Sequence, residues 1–477
     1  MINNPTFYTD LFKTDIRTME DTVAAALGRG GDYADLYFYS SKGSDIMLRD
    51  SQVSSGAISM DYGVGIRVLK GDRTGYAYTE DTSRPAMLNA AKSASVIADG
   101  APETPPRPTF AFSGKPNPAA DRYPFTKDWR TVPTTTGAAM LTTLEKKIRE
   151  RDTRIQKVIA VLSSQVDDIL MFNSLGELKY DTRPMGTIAV SIIFSDGKTT
   201  RNKHVSRSFR CGAEMLSEVL QEQMSVQITS GLDQALEAGR PKGGKMPVVM
   251  GAGASGILLH EAMGHAFEAD FNRKGQSIFS DKMGKRVCME GITIVDDATI
   301  KGNRGSLNFD DEGVPGQRTV MVQDGILTSF LHDRVSAAHY GVRPTGNGRR
   351  ESFRFNPIPR MRATYMESGN ARPEDIIASV SKGIYVDEFA NGQVKIGEGD
   401  FTFYVKSGRL IENGRLTMPV TDINIIGNGP EALADIRAVG NDGLVDDSAW
   451  TCGKMQQVPV SCGIPTVLVG SLTVGGE

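Results

Sequence analysis

The chain has 477 residues, 39% of them hydrophobic, and carries a formal net charge of -3 with a pI of about 6.1. That length exceeds one ordinary core, so two domains are expected, and so balanced a charge excludes whole-chain attraction to nucleic acid or to an anionic membrane. Four cysteines, Cys211, Cys288, Cys452 and Cys462, exclude a disulfide framework in a chain this long and point to a reducing cytoplasm.

The opening residues, MINNPTFYTDLFKTDIRTMED, lack the apolar stretch of a secretory signal, and no apolar run approaches the roughly 18 residues that would span a bilayer. Residues 12–29 read as a helix that ends at Gly28, Gly30 and Gly31. Alternating stretches follow: YADLYFYSS, DIMLRDSQ, GAISMDYGVGIRVLK and TGYAYTE read as strands, with Lys70-Gly71-Asp72 turning a hairpin. Thr82 or Ser83 then caps a helix over AMLNAAKSASVIAD. Residues 101–133 hold eight of the 22 prolines and read as a linker. Beyond it MLTTLEKKIRER is helical, IQKVIAVLSSQ, ILMFN, ELKYDT, TIAVSIIFS and the stretch around HVSRSF are strands, and AEMLSEVLQEQMSVQITSGLDQALEA is helical again. The stretches 12–100 and 134–240 thus share one order, helix, strands, helix, which suggests an internal duplication within an N-terminal α+β domain, residues 1–240. After Pro241-Lys242-Gly243-Gly244 a β-rich domain is expected over 241–477, interrupted by helices near 333–339, 373–382 and 429–438. The expected fold class is therefore α+β, with the chemistry in the second domain.

That chemistry centres on GILLHEAMGHAFEAD, which contains H-E-x-x-x-H: His260, Glu261 and His265, in a chain with only five histidines. Neutral imidazoles bind zinc at about 2.0–2.1 Å, and a neighbouring carboxylate can take a proton from a water that the metal has acidified to a pKa of about 7. The spacing is unusual. On an ideal α-helix, residues five apart diverge by about 140°, so both rings reach one metal only if the helix widens or ends between them. Gly264 permits either a π-bulge or a left-handed turn. The plainer reading is a buried helix with two incidental histidines. A catalytic zinc usually has a third protein ligand. His204, His332, His339, Glu268, Asp270 and Cys452 are candidates; His332 and His339 share a helix-like spacing in FLHDRVSAAHY that suits packing better. Residue types alone leave the choice open.

The chain resembles the TldD/PmbA family of metallopeptidases, also labelled modulators of DNA gyrase. The resemblance rests on YADLYFYSS, GVGIRVLKGDRTGYAYTED, GILLHEAMGH, DDEGVPG, GNGRRESFRFNPIPRMRATYM and TCGKMQQVPVSCGIPTVLVGSLTVGG, and so runs over nearly the whole chain. It implies a zinc ion held by His260, His265 and Cys452, with Glu261 as the base. It also implies a dimer around an active-site cavity, either a homodimer or a heterodimer with a metal-deficient paralogue, acting on unfolded peptides. One departure is Ser461-Cys462, where glycine or a small apolar residue is expected after VPV. Gly453 and Lys454 favour Cys452 as the ligand, by allowing a tight turn and by adding positive charge. Alternation instead places Cys462 on one face with Val458 and Val460, as a small buried hydrophobe.

Two other features invite function. Gly251-Ala252-Gly253-Ala254-Ser255-Gly256 is a G-x-G-x-x-G that follows a strand and opens a helix, but the acidic residue that a dinucleotide site needs about 20 residues on is missing. The loop is better read as leading the metal helix close to a strand, with the Gly253 backbone facing substrate. Among clustered arginines, Arg349 and Arg350 are candidates to bind a peptide carboxylate or carbonyl; no aromatic-interleaved basic motif points to nucleic acid. The reading is a zinc peptidase, with a nucleotide-dependent enzyme and a non-enzymatic regulator of a partner such as gyrase as the alternatives.

Overall fold

The computed structural model describes residues 4–98 and 121–476, so the part of the expected proline-rich linker up to residue 120 lies outside the described residues. Two helices open the chain, α1 (Pro5–Leu11) and α2 (Ile16–Leu27), where one was expected over 12–29. Asp15 separates them by capping α2, accepting a hydrogen bond from Thr18 N at 2.7 Å. Then come strands β1 (Tyr33–Arg49), β2 (Gln52–Lys70) and β3 (Arg73–Thr79) and helix α3 (Arg84–Ser95). A second unit repeats the order: α4 (Thr134–Arg151), β4 (Ile155–Asn173), β5 (Leu178–Ser195), β6 (Thr200–Phe209) and α5 (Glu218–Thr229). Stretches read separately from sequence merge into the long strand β1, because β2 and β4 hold it on both sides.

All six strands form one antiparallel sheet in the order β3-β2-β1-β4-β5-β6, so the two units meet where β1 pairs with β4. Side chains alternate across it. Even-numbered residues Leu36, Phe38, Leu170 and Phe172 pack under α2 and α3, while Ile46, Leu48, Val158 and Ala160 pack under α4 and α5. Odd-numbered Tyr37, Tyr39, Ile169 and Met171 face the other way and pack on Phe309 and Phe353 of the C-terminal half. The sheet is thus covered on both faces at its centre.

The C-terminal half is β-rich. Strand β7 (Gly244–Met250) lies between Lys382–Val394 and Val467–Val474; Ile423–Asn428 and Asp400–Glu412 follow, and the last pairs back with Lys382–Val394, so five strands close on themselves. A second sheet runs Ile326–Leu327, Arg318–Gln323, Ile294–Asp297, Ala363–Met366, Ser461–Ile464, Leu444–Val445. The helices expected at 373–382 and 429–438 are shorter, Pro373–Ala378 and Gly429–Ala434, because strand pairing captures the residues after them. The helical segment 257–267 is wedged in the core between the two sheets. Its Ile257, Leu259, Met263 and Phe267 share one cluster with Val248, Val386 and Phe403 on one side and Met321 and Val322 on the other. Among the described residues no helix is long and apolar enough to cross a membrane.

Candidate metal centre

Two structural segments converge on the site. The first is the helical segment, which starts as one α-turn (Ile257–Leu259), widens to a π-helix over His260–Gly264 and tightens to a 3-10 turn over His265–Phe267. His265 N–H donates to His260 O, an i to i−5 bond. One extra residue per turn brings side chains five apart onto one face, which is what the H-E-x-x-x-H spacing demands. Gly264 has φ −54 and ψ −50, so the left-handed alternative is not used. Its lack of a side chain matters for packing instead: a Cβ there would lie 2.0 Å from Met361 Sδ. The two imidazoles sit edge to face, with ring centroids 5.1 Å apart.

The second segment is a small hairpin, Thr451–Gly453 paired with Gln457–Pro459, whose tip at Met455 has φ 59. It presents Cys452, whose Sγ lies 3.2 Å from His260 Nε2 and 3.2 Å from His265 Nε2. The three ligand atoms lie within 4.8 Å of one another, and all three residues are buried. Burial alone would raise the Cys452 thiol, but the imidazoles more than offset it and bring its pKa down to about 4, the thiolate form that metal binding needs. Two imidazoles and a thiolate on one point form a donor set suited to zinc, with a coordination position left for water or substrate. Glu261, next to His260, is half-buried, in contrast to the fully buried histidines.

The other candidates go elsewhere. Glu268 is wholly buried, and its Oε2 lies 2.9 Å from His265 Nδ1, the far side of the ring from Cys452. Burial pushes its pKa up, but Lys454, His265 and Arg360 outweigh that and hold it near 2. Asp270 accepts from Lys454 Nζ at 2.7 Å. His332 Nδ1 meets Ser336 Oγ at 3.3 Å and burial lowers its pKa to about 4, so it is a neutral packed histidine. His204 meets Ser191 Oγ at 2.9 Å on the N-terminal sheet, and His339 lies on the exposed side of helix Arg334–Tyr340. Cys462 is buried on strand Ser461–Ile464, paired with Thr364, and burial raises its thiol well above the ordinary range. The i, i+3 spacing of His265 and Glu268 was the sequence signal for their contact, which reading Glu268 as a ligand misses.

Gly253, Arg349 and Arg350, expected to contact substrate, have partners within the chain itself. Gly253 has φ +86 and donates its N–H to Ile464 O at 2.9 Å, while Gly251 donates to Val386 O at 2.8 Å and Gly256 to Gly253 O at 2.9 Å. All three glycine amides of the G-x-G-x-x-G are thus engaged within the chain, which takes them from the donors that a dinucleotide phosphate would need. Close approach explains the glycines: a Cβ on Gly256 would lie 2.5 Å from Gly463 N. Arg349 and Arg350 are buried; Arg349 donates to Met361 O at 2.6 Å and Pro459 O at 2.8 Å, and Arg350 to Asp311 O at 2.8 Å. Buried guanidinium groups need such internal acceptors, and these two hold loops of the chain itself.

Comparison with known proteins follows the same lines. The chain matches the family descriptions "PmbA/TldA metallopeptidase domain 1" over residues 34–98, "PmbA/TldA metallopeptidase central domain" over 127–222 and "PmbA/TldA metallopeptidase C-terminal domain" over 243–476. It is 38% identical over 454 residues to the "Metalloprotease TldD homolog" of Haemophilus influenzae, covering 94% of each chain. The "Zinc metalloprotease TldD homolog" of Saccharolobus solfataricus is 35% identical over 244 residues, 50% of this chain and 54% of its own. The solved structure of TldE from Thermococcus kodakarensis superposes with a TM-score of 0.73 over 96% of this chain and 100% of that one; at 19% identity the likeness is one of fold.

Proposed function

Because the chain belongs to the PmbA/TldD family of metallopeptidases, we propose that it is a zinc-dependent peptidase whose metal is held by His260, His265 and Cys452. The observation that carries this reading is the meeting of the three ligand atoms, with a half-buried Glu261 next to His260 in the chain. When bound, zinc supplies Lewis-acid polarisation of a peptide carbonyl and acidifies water to a pKa of about 7. Glu261 takes the proton of the attacking water and returns it to the leaving amine. The thiolate of Cys452 and the two Nε2 lone pairs stay fixed throughout, because the residues that bear them are buried and packed.

The substrate in this reading is an extended, unfolded peptide. This reading is supported by strand Thr451–Gly453, which pairs only with Gln457–Pro459 among the described residues and exposes Thr451 and Gly453 on either side of Cys452, where a peptide backbone can lie whatever its sequence. Glu261→Gln should keep metal and fold and lose about 10²–10⁴-fold of peptide cleavage. Near-normal cleavage of an unstructured peptide by that variant, free of wild-type enzyme, would sink the assignment. A dimer, with a second copy or with a metal-deficient paralogue, belongs to the same reading. Its support is β2, where Gln52–Met60 is exposed and uncharged and, among the described residues, has no strand on its outer side, since β3 pairs only from Val64 onward. Such an edge lacks the charges that usually guard against pairing.

A further inference from the structure

We propose that Glu268 is a positioning residue of the metal centre: it fixes the tautomer and tilt of His265 and, through Lys454, ties the hairpin bearing Cys452 to the helix bearing the histidines. The inference rests on the zinc reading above and deepens it. Glu268 Oε2 lies 2.9 Å from His265 Nδ1, on the side of the ring away from Cys452, where a carboxylate oxygen is placed to accept the proton of that nitrogen. With Nδ1 facing Glu268, Nε2 is the ring nitrogen turned toward Cys452, and it is the atom that would hold a metal. The carboxylate is wholly buried, and His265 itself is 6% exposed, so water does not offer a competing partner.

The same carboxylate reaches the other arm. Lys454 stands two residues beyond Cys452 on the hairpin, and its Nζ lies 3.1 Å from Glu268 Oε2, 2.7 Å from Asp270 Oδ1 and 3.2 Å from Pro359 O. Arg360 adds a second tie: its Nε is 3.7 Å from Glu268 Oε1, and its Nη2 donates to Cys452 O at 2.7 Å. One buried carboxylate therefore lies against the back of a histidine ligand and beside two of the cations that hold the thiolate hairpin. His260 has no such support among the described residues, where its Nδ1 is buried without a hydrogen-bond partner. That asymmetry makes Glu268 the main orienting contact for the pair of rings, in the manner by which outer carboxylates orient metal-bound histidines.

The test uses the full chain, with zinc affinity measured by chelator competition and the site probed by cobalt(II) absorption. Glu268→Gln keeps the shape of the side chain but weakens its hold on His265 Nδ1 and cannot balance Lys454. It is expected to bind zinc about 10- to 100-fold more weakly and to shift the cobalt ligand-field bands. Lys454→Met leaves Glu268 on His265 and cuts the link to the hairpin; it is expected to weaken zinc binding and to move the thiolate-to-cobalt band. A purely structural carboxylate would change the melting temperature of the metal-free protein and leave affinity and spectrum as in wild type. Wild-type affinity and spectrum in both folded variants, or in Lys454→Met alone if Glu268→Gln fails to fold, would overturn the proposal. Wild-type protein that binds no zinc overturns the zinc reading itself.

Discussion

A buried thiol takes its character from the charges around it, and Cys452 and Cys462 are both buried. Cys452 meets two imidazole nitrogens at 3.2 Å. Cys462 meets a strand, and the carboxylates in reach, Asp446 and Glu261, add to burial in opposing its ionisation. The sequence argument for Cys452 leaned on Lys454 as a source of positive charge. In the structure Lys454 is paired with Asp270 and Glu268, and the imidazoles depress the thiol. Sequence pattern therefore pointed to Cys452 through a neighbour whose actual contacts lie elsewhere. Arg349 and Arg350 show the opposite limit, because a cluster of arginines in sequence reads alike whether it faces solvent or carbonyls of its own chain.

At the scale of the element, a break from the α-helix was legible because five-residue spacing cannot serve one metal from an α-helix, while the choice of a π-helical over a left-handed turn was not. What one sequence could not reveal is why Gly264 stands there, since Met361 lies 97 positions away and only the fold brings its Sδ to 2.0 Å from the missing Cβ. Gly264→Ala sets two effects against each other. Alanine gains about 1 kcal/mol of helix propensity over glycine. Overpacking a buried contact costs about 1–3 kcal/mol, and Met361 is fully buried with little room to move. The clash should win, lowering the melting temperature and weakening metal binding together as the turn is pushed open. A variant as stable as wild type, with unchanged metal affinity, would show that the turn tolerates a side chain.

Across the whole molecule, the two units of the N-terminal region could be read from their repeated order of helix and strands, but their union in one sheet could not. Pairing of β1 with β4 joins residues over a hundred positions apart. The seam with the C-terminal half was equally hidden. There Arg67 pairs with Asp35 and with Glu312, and Arg183 Nη1 meets Asp311 Oδ1 at 2.5 Å, all buried. Those ion pairs make Asp311 and Glu312 a structural clasp, since removing one partner of a buried pair leaves an uncompensated charge. The exposed edge of β2 lies outside that seam, and it sets the assembly prediction: light scattering should find a dimer at micromolar concentration, alone or with the paralogue, and Ile58→Lys with Met60→Lys should leave a monomer. A dimer unaffected by those two changes would place the interface elsewhere. The central claim, a metal held by two imidazoles and one thiolate, is tested most directly by X-ray absorption at the zinc edge on wild type and Cys462→Ser. Both should show one sulfur at about 2.3 Å and two imidazole nitrogens at about 2.0–2.1 Å; a spectrum without sulfur, or sulfur that disappears with Cys462→Ser, would contradict it.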